Sequence, residues 1–304
     1  VRATASGATT FVRWLFAPAT DVVRREQAVA AAFFRVLLGL MWLYNVAWKR
    51  PPDFGEDSGS GLYKFTAFAV SDPVFPPYSW VVEHAVLPSI EVFGWGVLIA
   101  ETALAVLLLT GAWVRAAALL GVAQSLAIGL SVAYGPHEWA WSYWLMIGGH
   151  LVILFSSAGR VLAVDAVRSG VGSARNLGLV WGAVAVVAGA VVVVGTAGDD
   201  PLDARGYALG SSDPSVSLGT YNLVGGLALV VVGVLVLVAA RGHIALLGGA
   251  AAVVGAAAGL SLYAQIGFTD PFLGGTATSA AFLLSLALVA VMVARAPGRA
   301  SPRG

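Results

Sequence analysis

Apolar residues along this chain gather into eight long runs, at about 27–48, 90–110, 113–134, 139–157, 177–197, 221–240, 244–266 and 276–294. A helix needs about 20 mostly apolar residues to cross the hydrocarbon core of a bilayer. Within that core every backbone polar group must be satisfied internally, which leaves only helices and closed barrels. The runs lack the period-two alternation of barrel strands. The pattern therefore predicts an all-α, polytopic integral membrane protein with about eight transmembrane helices.

Charge supports the count and suggests an orientation. With the N-terminus placed in the cytoplasm, the inner segments hold 12 of the 17 basic residues, among them Arg13, Arg24, Arg25, Arg115, Arg160, Arg168 and Arg175. The outer segments hold Lys49, Arg50, Lys64 and Arg205, and Arg35 lies within the first span. Short loops rich in Lys and Arg face the cytoplasm. The expected location is the cytoplasmic (plasma) membrane, multi-pass, with both termini inside. Only 11% of the 304 residues are charged and 59% are hydrophobic, where a soluble globule carries about 25% charged residues. The net charge of +1 offers no basic field for nucleic acid. The chain has no cysteine, which excludes disulfides, thiolate metal ligands and covalent c-type haem attachment. The first apolar run lacks a small-residue cleavage site, which argues against a cleaved signal peptide.

Residues 1–26 read as a cytoplasmic or interfacial segment. Phe11, Trp14, Leu15 and Phe16 beside arginines suggest a short interfacial helix broken at Pro18, and a loosely ordered basic tail is the alternative. A change of character near residue 170 divides the rest. Residues 27–170 form a four-helix region with a long outer loop at 49–89; residues 171–296 form a second, Val/Ala/Gly-rich four-helix region; residues 297–304 are a cytoplasmic tail. In the second region, Gly255 and Gly259 have the small-xxx-small spacing that permits close helix approach. The loop at 49–89 is rich in Pro and aromatics, fit either to cap the bundle or to form an interfacial belt.

Four polar side chains fall inside the first four spans: Arg35, Glu101, Gln124 and His150. Ionisable groups at such depth are costly and face a partner or a cavity. Arg35 and Glu101 have similar depths, so a guanidinium–carboxylate pair is expected, with His150 or Gln124 within reach. Such a cluster suits either a quinone-headgroup or proton-handling site, in which His150 titrates, or a structural staple. No residue is assigned as catalytic and no metal site is expected. His137-Glu138 lacks the second histidine of a zincin motif, since Trp141 holds that place.

The first 170 residues also resemble the DoxX/DoxD-like membrane family. Arg35 and Gly39, continuing to Lys49, resemble its R-x-x-x-G opening with a basic residue at the outer end. Glu101, then Gly111 and Arg115, resembles its second segment. Gly159-Arg160-Val161-Leu162-Ala163-Val164-Asp165-Ala166 resembles the closing G-R-x-L-x-x-D-A signature. This family is a four-helix membrane module associated with thiosulfate:quinone oxidoreductase. The resemblance implies a membrane subunit of a quinone-linked oxidoreductase, engaged in oxidation of sulfur compounds, with quinone as cofactor and a redox partner subunit. A homo-oligomer is compatible with it. The alternatives are a membrane scaffold or assembly protein without catalysis, and a small-solute transporter.

Overall fold

The computed structural model describes residues 7–209 and 216–296. Among these, seven helices are long and apolar enough to cross a membrane, and an eighth, at Ala140–Phe155, is shorter. The chain is thus an all-α polytopic membrane protein. The long elements are α2 (Arg25–Val46), α5 (Ile90–Thr110), α6 (Val114–Val132), α7 (Ala140–Phe155), α9 (Ala174–Gly195), α10 (Leu223–Gly242), α11 (Ala245–Ala264) and α12 (Ala277–Arg295). Each matches one apolar run to within about three residues, because the hydrocarbon sets the length that must be filled.

Between them lie α1 (Gly7–Phe16), α3 (Gly61–Ser71), α4 (Pro76–Val81), α8 (Val164–Arg168), and an antiparallel hairpin of β1 (Arg205–Leu209) and β2 (Val216–Tyr221). Helix α1 stops before Pro18, as the interfacial reading expects, and its Trp14 ring stacks on Phe155. The hairpin and the helical content of 49–89 are absent from the pattern-based reading, since both are too short to stand out from loop composition. From α4 the chain passes through a π turn at Val82–Val86 and a 3₁₀ turn at Leu87–Ser89 before entering α5. Pro88 explains the rewinding: it has no N–H to return to the preceding turn. Residues 1–6 and the tail at 297–304 lie outside the described residues.

The two regions meet through α12. Helix α12 is the most buried of the long helices, and it packs on α11, α5, α9 and α2. Its approach to α11 runs through the expected small pair: a Cβ on Gly259 would lie 3.1 Å from the Ala280 carbonyl oxygen, and one on Gly255 3.3 Å from that of Leu283. On its other side, Thr278 donates to the Leu43 carbonyl at 3.4 Å, and Ala281 joins the core of α2, α5, α6 and α7. Tyr263 of α11 also hydrogen-bonds Thr102 of α5. One helix of the second region therefore belongs to both cores.

The connections alternate between two ends. Residues 49–89, the β-hairpin and the α11–α12 connection sit at one, here the 49–89 end. Helix α1, the α5–α6 turn and residues 158–176 sit at the other, the Asp165 end. At that end α5 closes on Gly111 in the left-handed conformation, with φ of 67°, the usual helix stop for a residue without Cβ.

Candidate functional site

The four polar residues expected to cluster do not form one group. Arg35 and Glu101 are both buried, yet they have no contact as a pair. Helices α2 and α5 are antiparallel neighbours, and side chains on a helix lean toward its own N-terminus. Arg35 therefore reaches toward the Asp165 end and Glu101 toward the 49–89 end, and the expected similarity of depth does not hold either: from the Gly39–Leu109 contact, Arg35 lies four residues, about 6 Å, toward the Asp165 end and Glu101 eight residues, about 12 Å, toward the 49–89 end.

Glu101 is paired with Lys49, Nζ to Oε2 at 2.6 Å, and these side chains are 0% and 2% exposed. Lys49 lies three residues beyond α2 and turns back into the protein, donating also to the Asn45 carbonyl at 3.0 Å and lying 3.8 Å from the centre of the Trp48 ring. Gln124 donates from Nε2 to Glu101 Oε1 at 3.3 Å. Pattern reading places Lys49 in an outer loop and misses this role. The available signal was its position one turn after Asn45, at the end of an apolar run, within reach of a buried acid.

His150 forms a third, separate contact. Its Nδ1 lies 2.7 Å from the Met146 carbonyl oxygen, and its Nε2 lies 2.9 Å from the Trp42 indole nitrogen. A carbonyl only accepts and an indole N–H only donates, so Nδ1 carries the proton and Nε2 accepts. Both nitrogens are spent in the neutral ring. The imidazole also rests against Gly121, where a Cβ would come within 2.0 Å of it. The expected proton-handling role for His150 gives way to a packed, hydrogen-bonded layer.

The remaining motif residues converge at the Asp165 end. Asp165 accepts from the backbone N–H groups of Trp113 and Val114, both at 3.1 Å, and of Ala19 at 3.3 Å, and pairs with Arg168 at 2.7 Å. Arg35 donates to the carbonyls of Ala158 at 3.0 Å and Leu162 at 3.2 Å, with its guanidinium against Gly111. Arg160 holds the Thr20 carbonyl at 2.7 Å, Gly159 N–H donates to Ala19 at 3.0 Å, and Arg115 pairs with Asp21. Gly39 serves packing, its Cα facing Leu109 so closely that a Cβ would lie 2.9 Å from that side chain. These residues knot the N-terminal strap to the turns beneath the bundle.

A cavity of about 1350 Å³ opens above the Lys49–Glu101 pair, between α2, α5, α6 and α7 and beneath residues 50–66. Lys49, Glu101 and Gln124 line its deep part, with Met41, Val97 and Met146 among the apolar walls. It reaches the surface in two directions. Tyr44, Phe93 and Gly96 line it and are also exposed on the flank of the helices; Arg50, Ser58 and Ser60 line it and are exposed at the 49–89 end. Helices α2 and α5 touch at Gly39 and Leu109, and on another face of α5 a Cβ on Gly96 would meet nothing within 4 Å. Phe54, buried against Gly94 and edge-on to Trp95 with ring centres 6.1 Å apart, anchors the roof.

No family model, no curated protein and no solved structure matches this chain.

Proposed function

We propose that this chain is the membrane subunit of a quinone-linked oxidoreductase, and that the cavity above Lys49 and Glu101 receives the quinone headgroup. The carrying observation is a buried ammonium at the base of a largely apolar cavity that also opens through the flank of the helices. Two of the three ammonium hydrogens have acceptors, in Asn45 and Glu101, and one of the two amide hydrogens of Gln124 is used. Donors left over in a low-dielectric pocket suit a ligand with carbonyl oxygens. Pockets with apolar walls and a few converging polar groups are the usual form of small-molecule sites. The opening at Tyr44, Phe93 and Gly96 suits an isoprenoid tail lying in lipid.

When bound, the quinone would supply two-electron redox chemistry. Lys49 and Gln124 would orient it, and Glu101 would hold Lys49 in place. Electrons would come from a partner subunit, since the chain has no thiolate to hold an iron–sulfur cluster. The DoxX/DoxD-like resemblance supports the same reading and suggests sulfur-compound oxidation at the plasma membrane, with both termini cytoplasmic. Homo-oligomers are compatible with this role.

The test is thermal unfolding of the purified protein with a short-tailed quinone. A ligand at about 100 times its Kd stabilises by about 2.7 kcal/mol, a readable upward shift. Gly96→Leu, at a lining position where a Cβ meets nothing within 4 Å, should fold normally and abolish that shift. No shift in the unmodified protein sinks the reading and favours a scaffold role, to which the knot around Asp165 is well suited.

A further inference from the structure

The cavity has two openings, and the second has a chemistry of its own. Gln124, Ala127 and Ser131 are spaced three and four residues apart on α6, so they lie along one face, spanning about 10 Å at 1.5 Å per residue. All three line the cavity. Above Gln124, the Tyr78 hydroxyl bonds the Ser131 hydroxyl at 2.9 Å and the Ala127 carbonyl at 3.2 Å. Farther out, Glu138, hydrogen-bonded by Tyr143, also lines the cavity. The rim is Arg50, Asp53, Ser58 and Ser60. Polar groups thus continue from the buried ion pair to the exposed surface at the 49–89 end.

The opposite direction is closed. One turn toward the Asp165 end from Gln124 and Met146 stand Gly121 and His150, the latter bonded to Trp42, with all three buried. Beyond them Gly39 packs on Leu109, and the knot of Arg35 and Asp165 fills the end of the bundle. The groups that carry or exchange protons around the cavity are Tyr44 on α2, Lys49, Arg50 and Asp53 after it, Glu101 on α5, Tyr78 on α4, Glu138 before α7 and Tyr143 on α7. All lie on the open side of the Trp42–His150 layer.

We infer that the loop-side half of this cavity is an aqueous vestibule, which places the Lys49–Glu101 pair in proton exchange with the compartment at the 49–89 end and isolates it from the other. A cavity lined by several polar partners, and far larger than the roughly 30 Å³ of one water, is hydrated, whereas dry cavities are apolar. This holds whatever ligand the deep end takes.

Single cysteines test it in sealed proteoliposomes, because the native chain has none. A membrane-impermeant sulfonated thiosulfonate is added to one side at a time. Ser58→Cys reports the 49–89 side and Arg175→Cys the other. Ala127→Cys and Ser131→Cys should react from the Ser58 side only, at least tenfold faster than Leu126→Cys, whose side chain is exposed on the outside of the same helix. Ala127→Cys adds one sulfur atom but keeps the backbone carbonyl that Tyr78 bonds, and it carries the test if loss of the Tyr78 bond unfolds Ser131→Cys. Reaction no faster than Leu126→Cys, or reaction from the Arg175 side, overturns the vestibule. Labelling from the Ser58 side that a short-tailed quinone does not slow upholds the vestibule and removes quinone as its occupant.

Discussion

Replacing Glu101 by Gln removes the charge that Lys49 faces at 2.6 Å, where neither side chain has more than 2% of its surface exposed. Two unit charges 4 Å apart attract by about 4 kcal/mol at an effective dielectric of 20, and desolvation of both ions offsets much of that gain. Breaking such a pair costs more than the pair contributes, roughly 3–5 kcal/mol, because one charge stays buried alone. Lys49 lies just beyond α2, so a stripped ammonium can withdraw toward the 49–89 end, which puts Glu101→Gln at the lower limit of that range. Lys49→Met leaves a carboxylate that can neutralise by taking up a proton, and should cost less. The double variant should recover much of the loss, with a coupling energy of up to about 3 kcal/mol. A second cycle, Arg35→Met with Glu101→Gln, should be additive within about 0.5 kcal/mol, since the two side chains share no polar partner. Reversible unfolding in mixed detergent micelles measures both cycles. Coupling between Arg35 and Glu101 as large as that between Lys49 and Glu101 would refute the divergence of these side chains.

Two further substitutions probe the knot at the other end. Gly111→Ala should destabilise by more than the roughly 1–2 kcal/mol of left-handed strain, because its Cβ would also come within 1.9 Å of Arg35 Nη1; unchanged stability in the same unfolding assay counts against the turn. Asp165→Asn keeps the shape but loses the charge that serves three backbone N–H groups and Arg168. With charged hydrogen bonds contributing about 1.5–3 kcal/mol each, a loss of roughly 2 kcal/mol or more is expected, together with faster proteolysis of the strap at residues 17–24. A loss below about 0.5 kcal/mol would mean that the carboxylate is not what secures the strap.

The sequence by itself determined the spans, their number and the class of fold, because a bilayer imposes one length and one hydrogen-bonding solution on any chain that crosses it. It also singled out Arg35, Glu101, Gln124, His150, Lys49 and Asp165, each of which is buried or hydrogen-bonded in the structure. Their partners were decided only by tertiary structure. Position along one helix is readable from residue number, but the register at which two helices pack is not, and the contact of Gly39 with Leu109 sets Arg35 and Glu101 on opposite sides of it. Lys49 counted as a loop residue until the chain turned back beneath Trp48. His150 looked titratable until Trp42 and the Met146 carbonyl occupied both nitrogens. The cavity itself has no sequence signature. Its walls come from α2, α5, α6 and α7 together, and the space left between helices is a property of their packing, not of any one's composition.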